Sequence, residues 1–418
     1  MLARGITNGW STSDVVWTQN YVVREGRVSG GRLRDKPWRR SCCISSGKAK
    51  LAWSRWRASS STRAPIRNEK LAHGLESTEE ETGGGRGGAG RMATKRVLLL
   101  LKRSMLDGYV PREAMSVAET PFASLLVTHP KVVGNLPDRH RVHSHTVEVC
   151  KDVLRRRANV EWDSIMRDEL QGCPIRKVDL VVTIGGDGTL LQASNCLDDS
   201  IPILGVNSDP TISSEVEEHL HQFDATRSTG YLCAATADNF EQILDDILDG
   251  KKKPLELTRI NTRIDGEDYS YPALNDVLLS HPNPAAVSRC SYRIYKEGVN
   301  EPRTPLVHSR SSGLRICTAA GSTAAMASAG GEPMDLLSRD LQFMIREPIS
   351  PHPRFREYLK GWITPTEVLK VRWCCRQGVI HFDGSHVSQQ VKFGSVIEFS
   401  SNAPLLKIFA RDTKKDEV

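Results

Sequence analysis

Short apolar runs alternate with segments of helical spacing through the first half of the folded chain. Val97–Leu101, Leu180–Ile184 and Ile201–Val206 are short enough to be buried strands. Between and after them, apolar residues recur three and four positions apart around His143–Arg157 and in the segment that ends before Gly250. Strands separated by helices predict a parallel sheet covered on both faces.

The pattern of apolar segments changes after residue 253. Short apolar segments are now separated by turn dipeptides such as Asp383-Gly384, which is typical of antiparallel strands. We therefore predict an α/β domain over residues 92–250, followed by a β-rich C-terminal domain over residues 251–418 whose last segment returns to the first domain. The predicted strands of the β-rich half are Leu314–Thr318, Val379–Phe382, Val396–Phe399 and Leu405–Phe409.

Residues 1–91 differ from the rest of the chain. They carry 17 Lys and Arg against 8 Asp and Glu, and they end in the glycine-rich stretch 83–90. Met92 then begins a segment that is typical of a natural translation start, directly before the first predicted strand. We expect this leader to be unstructured or absent from the translated product, which gives a cytoplasmic protein, or else to be a transit peptide for a mitochondrion or plastid.

Charge and composition exclude several classes of protein. The residues after 91 carry 40 basic and 42 acidic side chains, which argues against a nucleic-acid surface spread over the fold. The run Val97–Leu101 is far shorter than the roughly 20 residues of a membrane span, so we expect no membrane association. Ten cysteines without a C-x-x-C pair indicate neither zinc nor a dithiol centre. We interpret Cys196, Cys233 and Cys317 as small buried thiols.

Histidines cluster at His140, His143 and His145. Their spacing of three and two does not suit a pair of metal ligands on a helix, so we predict a solvated face there. No metal ligands can be assigned from the sequence.

The segment with the clearest chemistry is Gly185-Gly-Asp-Gly-Thr189, between a predicted strand and a predicted helix. Glycines permit positive φ and close approach of a ligand to the backbone. A helix N-terminus that follows a strand presents free N–H groups to anions, so this turn is expected to hold phosphate. Neither the P-loop nor the G-x-G-x-x-G pattern occurs at this turn.

Asp187 is an acid within that predicted phosphate site. A carboxylate there would repel phosphate unless it binds a metal or accepts a proton, and both roles belong to phosphoryl transfer. The alternative is that Asp187 only caps the following helix. The narrow Gly-Gly-Asp-Gly-Thr combination favours the functional role.

With these residues the sequence resembles the NAD kinase family. The resemblance covers about residues 94–412, and segments 207–211 and 224–230 resemble its plant-type NADH kinase branch. The turn Gly-Gly-Asp-Gly-Thr is shared with phosphofructokinases and diacylglycerol kinases. Further matches narrow the resemblance to the NAD kinase family. These are Gly205-Val206-Asn207, Asn275-Asp276, the loop from Gly313 through Thr318 and Gly321 to Ala324 and on to Ser328–Gly331, Pro348–His352, and Asp383-Gly384.

The resemblance implies a role for each matching residue. Asp187 would act as the catalytic residue beside the ribose 2′-hydroxyl, and Asn275 and Asp276 would hydrogen-bond the dinucleotide. Standing alone, the Asn275-Asp276 pair could be a plain turn, and Ser322 or Thr323 could be a helix cap. The remaining residues implied to line the nucleotide sites are Gly185, Gly186, Gly188, Thr189, Asn207, Gly321, Ser322, Thr323, Ala324 and Ser328.

Two positions depart from the family pattern. Ser312 replaces a carboxylate that could hold a ribose, and Ala325 replaces an aromatic residue that could stack. We hypothesise that both changes relate to a preference for the reduced, uncharged nicotinamide.

The resemblance therefore implies an enzyme that transfers the γ-phosphate of ATP to NADH or NAD⁺, with Mg²⁺ or another divalent cation. It also implies that the nucleotides bind between the two halves and that the protein pairs as a homodimer through its β-rich domain. Two alternatives stay open. One is a lipid kinase of the diacylglycerol or sphingosine type that shares the Gly-Gly-Asp-Gly-Thr turn, and the other is a catalytically silent nucleotide-binding regulator.

Overall fold

The structure is a computed structural model that describes residues 94–104, 136–170, 173–220, 226–299 and 301–411. All of these residues lie within one compact unit, Gly87–Val418. The leader lies outside the described residues, and so do the expectations about it.

The first half of the described chain, joined by the C-terminal strand β18, builds a six-stranded sheet of order β2-β1-β3-β4-β18-β5. Strands β1 to β4 run parallel to one another, β18 is parallel to β4, and β5 pairs antiparallel with β18. The strands are β1 (Lys95–Leu101), β2 (Val160–Met166), β3 (Leu180–Gly185), β4 (Ile203–Asn207), β5 (Leu255–Leu257) and β18 (Leu406–Phe409), and the helices are α1 (Leu136–Arg155), α2 (Asp187–Ser194), α3 (Ser213–His219) and α4 (Phe240–Leu248).

Both faces of this sheet are buried because successive side chains of a strand point to opposite sides. Val97 and Leu99 of β1 join an apolar cluster with Leu154 of α1 and Leu244 of α4. Leu98 of the same strand joins a second cluster on the other face, together with Leu190 and Leu191 of α2. The predicted parallel sheet with helices on both faces is therefore confirmed.

The second half forms two antiparallel six-stranded sheets, of order β10-β9-β14-β17-β6-β7 and β13-β12-β11-β8-β15-β16. Their facing side chains share one core, in which Tyr292 and Val371 of the first sheet lie with Ile316 and Phe343 of the second. The elements are β6 (Asn261–Ile264), β7 (Glu267–Asp268), β8 (Asp276–Ser280), β9 (Ser288–Lys296), β10 (Val307–Ser311), β11 (Gly313–Cys317), α5 (Ala325–Ser328), β12 (Leu341–Arg346), β13 (Lys360–Ile363), β14 (Glu367–Trp373), β15 (Gln377–Phe382), β16 (Val387–Lys392) and β17 (Val396–Ser400).

The buried Arg259 ties the two halves of the chain together. Its guanidinium donates to the carbonyl oxygens of Ser194, the last residue of α2, and of Leu197 just beyond it, and to that of Pro404, which precedes β18. Burial lowers the pKa of Arg259 to about 10, so the side chain stays charged near neutral pH. The cation therefore faces the C-terminal carbonyls of α2, where positive charge is favourable.

Two elements differ from the sequence predictions. Helix α1 begins at Leu136, seven residues before the predicted start, because its first turn is polar and gives no apolar signal. Strand β2 was not predicted, since its side chains are mostly half-buried or exposed at the edge of the sheet. Cys196, Cys233 and Cys317 are buried free thiols, as expected.

Candidate active site

The Gly-Gly-Asp-Gly-Thr turn joins the end of β3 to the first turn of α2. Gly186 is the N-cap residue, with φ −101° and ψ −171°, and the helix begins at Asp187. None of Gly185, Gly186 and Gly188 has a positive φ, so the expectation that these glycines provide left-handed backbone is wrong.

The reason for glycine at these positions is space. A Cβ on Gly185 would lie 2.2 Å from Thr189 Oγ1, and one on Gly186 would lie 2.7 Å from Ser228 Oγ. At Gly188, in contrast, a Cβ would meet nothing within 4 Å, and the residue is exposed. The first two glycines are therefore required by the fold, whereas Gly188 leaves an open approach to the first turn of α2.

The Asp187 carboxylate is held by a neighbouring turn. Its Oδ2 accepts a hydrogen bond from the backbone N–H of Tyr231, and its Oδ1 accepts one from Leu232, both at 2.9 Å. Asp187 is half-buried; the Cys233 thiol also lies 3.7 Å from Oδ1, and Oδ2 keeps a second lone pair. The side chain is thus fixed in direction while it can still accept a further proton or hydrogen bond.

Two of the predicted ligand residues are buried. Thr189 is 1% exposed, and no hydrogen-bond partner for its hydroxyl is found among the described residues. Asn207 is also 1% exposed; its Nδ2 donates to the carbonyl of Ser228, and Gly230, at φ +61°, packs directly on its amide. Asn207 thereby shapes the turn that precedes Tyr231 rather than facing open space.

The Asn275-Asp276 segment is held by Asp383. The Asp383 carboxylate accepts hydrogen bonds from the backbone N–H of Leu274 at 2.9 Å, of Asn275 at 2.6 Å and of Asp276 at 3.1 Å. Burial raises the pKa of Asp383 to about 7, although these three donors act in the opposite direction. The Asn275 side chain is half-buried and has no hydrogen bond to any described residue.

Asp276 is 8% exposed and forms an ion pair with Arg315 of β11. Burial raises the pKa of Asp276, and the guanidinium of Arg315 partly offsets this rise. Sequence reasoning missed Arg315, because the pair joins residues on adjacent strands that are 39 positions apart. If the Asp276 carboxylate accepts a hydrogen bond from a dinucleotide, it does so while it is also paired with Arg315.

The loop after β11 closes against the same segment. A Cβ on Gly321 would lie 2.0 Å from the Asn275 carbonyl oxygen, so only glycine fits this approach. Thr318 donates its hydroxyl to the carbonyl of Leu274, and Ser322 is fully buried, with its hydroxyl bonded to the carbonyl of Ala319. The three remaining predicted residues of the loop are exposed; they are Thr323, Ala324 and Ser328.

The helix-cap alternative for this loop is wrong. The short helix α5 has Ala324 at its N-cap, without any side-chain cap, so neither Ser322 nor Thr323 has that role. Ser312, which replaces a carboxylate of the family pattern, precedes β11 and bonds to Glu347, about 17 Å along the strand from the loop after β11. Ser312 and that loop therefore lie at opposite ends of β11.

One apolar cluster brings the loops of both halves together. Leu190 of α2 packs in this cluster with Leu274, next to Asn275, and with Ala320, next to Gly321. The Gly-Gly-Asp turn, the Asn275 segment and the loop 318–328 consequently converge at one side of α2. The predicted site residues are thus divided into buried ones that shape these loops and exposed ones that are available to a ligand.

The predicted solvated face holds for His145, which is exposed, but not for His143. His143 is buried in α1, and its ring lies 2.9 Å from the Lys102 carbonyl and 2.8 Å from Ser208 Oγ. Burial lowers the pKa of His143, which favours the neutral ring. Since a carbonyl can only accept, Nε2 carries the proton and Nδ1 accepts from Ser208. The ring therefore fastens the end of β1 to the end of β4.

Two further findings hold for the part of the chain that the structure describes. No group of three or more His, Cys, Asp or Glu side chains there is arranged to hold a metal ion. No helix among these residues is both long and apolar enough to cross a membrane.

The sequence is similar to known NAD and NADH kinases. The family described as ATP-NAD kinase N-terminal domain matches residues 111–212. The chain is 49% identical over 320 residues to a probable NADH kinase of Oryza sativa subsp. japonica, which covers 76% of this chain and 97% of that protein. It is 50% identical over 319 residues to an NADH kinase of Arabidopsis thaliana, with 76% and 96% covered.

The chain therefore belongs to the NAD kinase family. Within that family it is similar to the plant NADH kinases. Among solved structures, an NAD kinase from Archaeoglobus fulgidus in complex with ATP aligns with a TM-score of 0.49 at 17% identity, and it covers 76% of this chain and 94% of that one.

Proposed function

We propose that this protein transfers the γ-phosphate of ATP to the 2′-hydroxyl of NADH or NAD⁺ and forms NADPH or NADP⁺. The observation that carries the proposal is the setting of Asp187. Its carboxylate is fixed by two backbone N–H groups, beside a glycine whose missing side chain leaves the helix N-terminus open. This arrangement suits a group that orients a hydroxyl toward an incoming phosphate.

In the proposed reaction, Asp187 accepts the proton of the ribose 2′-hydroxyl as the oxygen forms a bond to the γ-phosphorus. The bond from the γ-phosphorus to the bridging oxygen breaks, and ADP leaves. The N–H groups of the first turn of α2, exposed at Gly188, stabilise the negative charge on the transferred phosphoryl group. The roles of Gly185 and Gly186 are to let this turn form.

The dinucleotide would lie against the loops that converge beside α2. The unengaged amide of Asn275 offers both a donor and an acceptor to the ligand. Asp276 would act together with Arg315, since the two are already paired. Thr323, Ala324 and Ser328 provide the exposed surface of the loop after β11. Thr189, Asn207, Gly321 and Ser322 support this site from inside.

The phosphoryl donor would enter as the Mg²⁺ complex of ATP. The described residues offer no cluster of protein ligands for a metal. This agrees with the usual binding of Mg²⁺ through substrate phosphates with one or two carboxylates. Bound in this way, the cation neutralises charge on the phosphate oxygens.

The direct test offers three acceptors side by side to the purified chain with labelled ATP, namely NADH, NAD⁺ and diacylglycerol. Label in the dinucleotides supports the proposal. Label in the lipid alone would establish the lipid kinase alternative, and label in none of the three would leave a silent nucleotide-binding protein.

We propose a preference for NADH over NAD⁺. Ala325 is exposed at the start of α5 and offers no ring on which a positively charged nicotinamide could stack. Steady-state kinetics should give a higher kcat/KM for NADH than for NAD⁺. Replacement of Ala325 with Tyr should reduce the difference between these two kcat/KM values. A clear preference of the wild-type protein for NAD⁺ would refute this assignment.

Two further expectations, on assembly and on location, belong to this proposal. The protein is proposed to form a homodimer through its β-rich half, which light scattering of the purified chain would test. It is proposed to act in the cytoplasm if Met92 is its first residue, or in a mitochondrion or plastid if the leader is a transit peptide. N-terminal sequencing of the native protein separates these two locations.

A further inference from the structure

The guanidinium of Arg227 binds three carboxylates at once. It donates to Asp138 Oδ2 at 2.8 Å, to Asp209 Oδ1 at 3.0 Å and to Glu215 Oε1 at 2.9 Å, and its own side chain is only 4% exposed. Arginine stays charged in proteins and carries five N–H donors in a rigid plane, so it can hold several carboxylates in fixed directions. The donors of Arg227 are therefore engaged by protein groups, and little of the side chain is accessible to a ligand.

The three carboxylates belong to three different parts of the first half. Asp138 lies in the first turn of α1, Asp209 follows β4, and Glu215 lies in α3. Asp209 and Glu215 are themselves only 17% and 15% exposed. Removing the cation from such a group would leave poorly hydrated negative charge without its partner, so the position of Arg227 relative to these elements is tightly set.

The backbone beside Arg227 is fastened to the chain that follows β4. The Arg227 N–H donates to Thr211 Oγ1 at 3.2 Å. The Ser228 carbonyl accepts from the Thr211 N–H at 3.0 Å and from Asn207 Nδ2 at 3.2 Å. The side chain and the backbone of this segment are therefore anchored together, the first by charge and the second by hydrogen bonds.

Apolar packing contributes little to holding this region. Segment 208–231, which contains α3, contributes no described residue to any of the apolar clusters. Ile212 is 47% exposed and Tyr231 is 71% exposed. Because the burial of apolar side chains, which holds the strands and helices of the first sheet together, is missing here, the region depends on its polar contacts. Among those contacts, the ion pairs of Arg227 connect the segment to both α1 and α3.

The same segment leads directly to the Asp187 carboxylate. Tyr231 and Leu232, four and five residues after Arg227, donate the two N–H groups that hold this carboxylate. Gly230, directly before them, has a φ of +61°, and a Cβ there would lie 2.4 Å from a neighbouring side-chain amide. Since the connecting chain is short and tightly packed, a displacement of Arg227 is passed on to the two donors.

We propose that Arg227 is a positioning residue for Asp187, because its three ion pairs fix the turn whose N–H groups direct the carboxylate. The inference rests on the proposed kinase reaction, in which Asp187 accepts a proton, and it assigns to that reaction a residue that touches neither substrate. A displaced carboxylate loses its alignment with the hydroxyl, which slows the chemical step more than it weakens substrate binding. Loss of Arg227 should therefore lower kcat and leave both KM values nearly unchanged.

The test compares Arg227→Met with a matched control, Arg157→Met. Arg157 is also mostly buried, with a side chain that is 13% exposed, and it binds two carboxylates, those of Glu241 and Asp245. It follows the end of α1, about 28 Å along the helix axis from Asp138. Its replacement removes a similar set of ion pairs at a distance from the candidate site.

Two measurements are made on the full chain. Initial rates give kcat and the KM for NADH and for ATP. Alkylation of Cys233, the buried thiol directly after Leu232, is followed by mass spectrometry without any nucleotide. We expect Arg227→Met to lower kcat about tenfold, to leave both KM values within about twofold, and to speed alkylation of Cys233 about tenfold. Arg157→Met should change each of these quantities by about twofold or less.

Equal losses of kcat in the two variants, a kcat of Arg227→Met near that of the wild-type protein, or a rise in KM in place of a loss of kcat would overturn the assignment. A lower kcat without faster alkylation of Cys233 would also overturn it, because the turn would not have moved.

If Arg227→Met does not fold, the same outcomes decide the comparison of Arg227→Lys with Arg157→Lys. Lysine keeps the charge but lacks the planar donors, so the expected changes are about threefold. A wild-type chain that transfers no phosphate, and in which loss of Arg227 still exposes Cys233, would keep Arg227 as the anchor of the turn and refute the kinase reaction.

Discussion

The backbone N–H of Leu232 donates to Oδ1 of Asp187 at 2.9 Å, across 45 residues of sequence. With the matching bond from Tyr231 and the Cys233 thiol 3.7 Å from Oδ1, this contact fixes the direction of the carboxylate. The acid and the turn around Tyr231 therefore form one structural unit. Any change at Asp187 has to be interpreted with that turn in mind.

Replacement of Asp187 with Asn should remove most of the kinase activity, because an amide cannot accept the hydroxyl proton. The amide nitrogen would also face a backbone N–H, so the turn itself could shift. Cys233 provides an independent readout: it is buried, and its Sγ lies 3.7 Å from Asp187 Oδ1. Alkylation of Cys233, followed by mass spectrometry, measures exposure of the turn.

We expect Asp187→Asn to lose activity while Cys233 remains protected. An inactive variant in which Cys233 becomes reactive would show that the loss comes from displacement of the turn. An active variant would refute the assigned role of Asp187 in proton transfer.

Gly188 and Gly185 provide a matched pair of substitutions to alanine. Gly188→Ala meets no atom within 4 Å, so the free energy of unfolding should change by less than about 1 kcal/mol. Activity should still fall at least tenfold, because the methyl group enters the approach to the helix N-terminus. Gly185→Ala should instead lower stability, because its Cβ would lie 2.2 Å from Thr189 Oγ1. Unfolding curves and initial rates measure both effects, and full activity of Gly188→Ala would contradict a phosphate path there.

Asp383 is expected to position the dinucleotide loop. Asp383→Asn keeps one acceptor oxygen but places an NH₂ group against the N–H donors of Leu274, Asn275 and Asp276. The KM for NADH should rise several-fold while the KM for ATP changes little. Asp265→Asn is the control, because Asp265 also has a positive φ and accepts from a backbone N–H, that of Val396, elsewhere in the fold. Equal effects of the two variants on the KM for NADH would rule out a specific role for Asp383.

The pKa of Asp383 also predicts a pH dependence of stability. Burial raises this pKa to about 7 in the folded protein, so the folded state favours the protonated acid. The stabilising contribution is complete below the ordinary carboxyl pKa of about 4 and is lost as the pH rises through 7. The wild-type protein should therefore lose stability relative to Asp383→Asn between pH 5 and pH 8 in denaturant titrations. A constant difference between the two proteins would contradict the raised pKa.

Arg259 tests the connection between the halves. Arg259→Met would leave the carbonyls of Ser194, Leu197 and Pro404 buried without their donor, at a cost on the order of 3 kcal/mol. Arg263→Met is the control, because the exposed Arg263 side chain binds Asp268, Glu398 and the Gly266 carbonyl at the surface, and its loss should change stability by less than about 1 kcal/mol. Urea unfolding of both variants measures the loss in free energy of unfolding. Similar losses for the two variants would argue against Arg259 as the connection between the two halves.

Much of the first sheet could be predicted from the sequence, because β1, β3 and β4 are buried on both faces and read as apolar runs. The strand β2 gave no such signal, since polar residues such as Glu161 and Asp163 interrupt it at the edge of the sheet. The first turn of α1 was missed for the same reason.

The candidate site was predictable in its motifs but not in its contacts. The Gly-Gly-Asp-Gly-Thr turn can be read directly, whereas the burial of Thr189 and Asn207 depends on which way each side chain faces. The bonds from Asp383 to the Asn275 segment span more than 100 residues, so only the Asp383-Gly384 dipeptide hinted at them.

In the proposed reaction, Asp187 promotes transfer of the γ-phosphoryl group of ATP to the ribose 2′-hydroxyl of a nicotinamide dinucleotide. The most direct measurement is phosphorus NMR of the product formed from NADH and ATP by the wild-type protein and by Asp187→Asn. We expect a new 2′-phosphate monoester signal with the wild-type protein and nearly none with the variant while Cys233 stays protected. A dinucleotide that remains unphosphorylated with the wild-type protein, or an equal 2′-phosphate signal from both proteins, would contradict it.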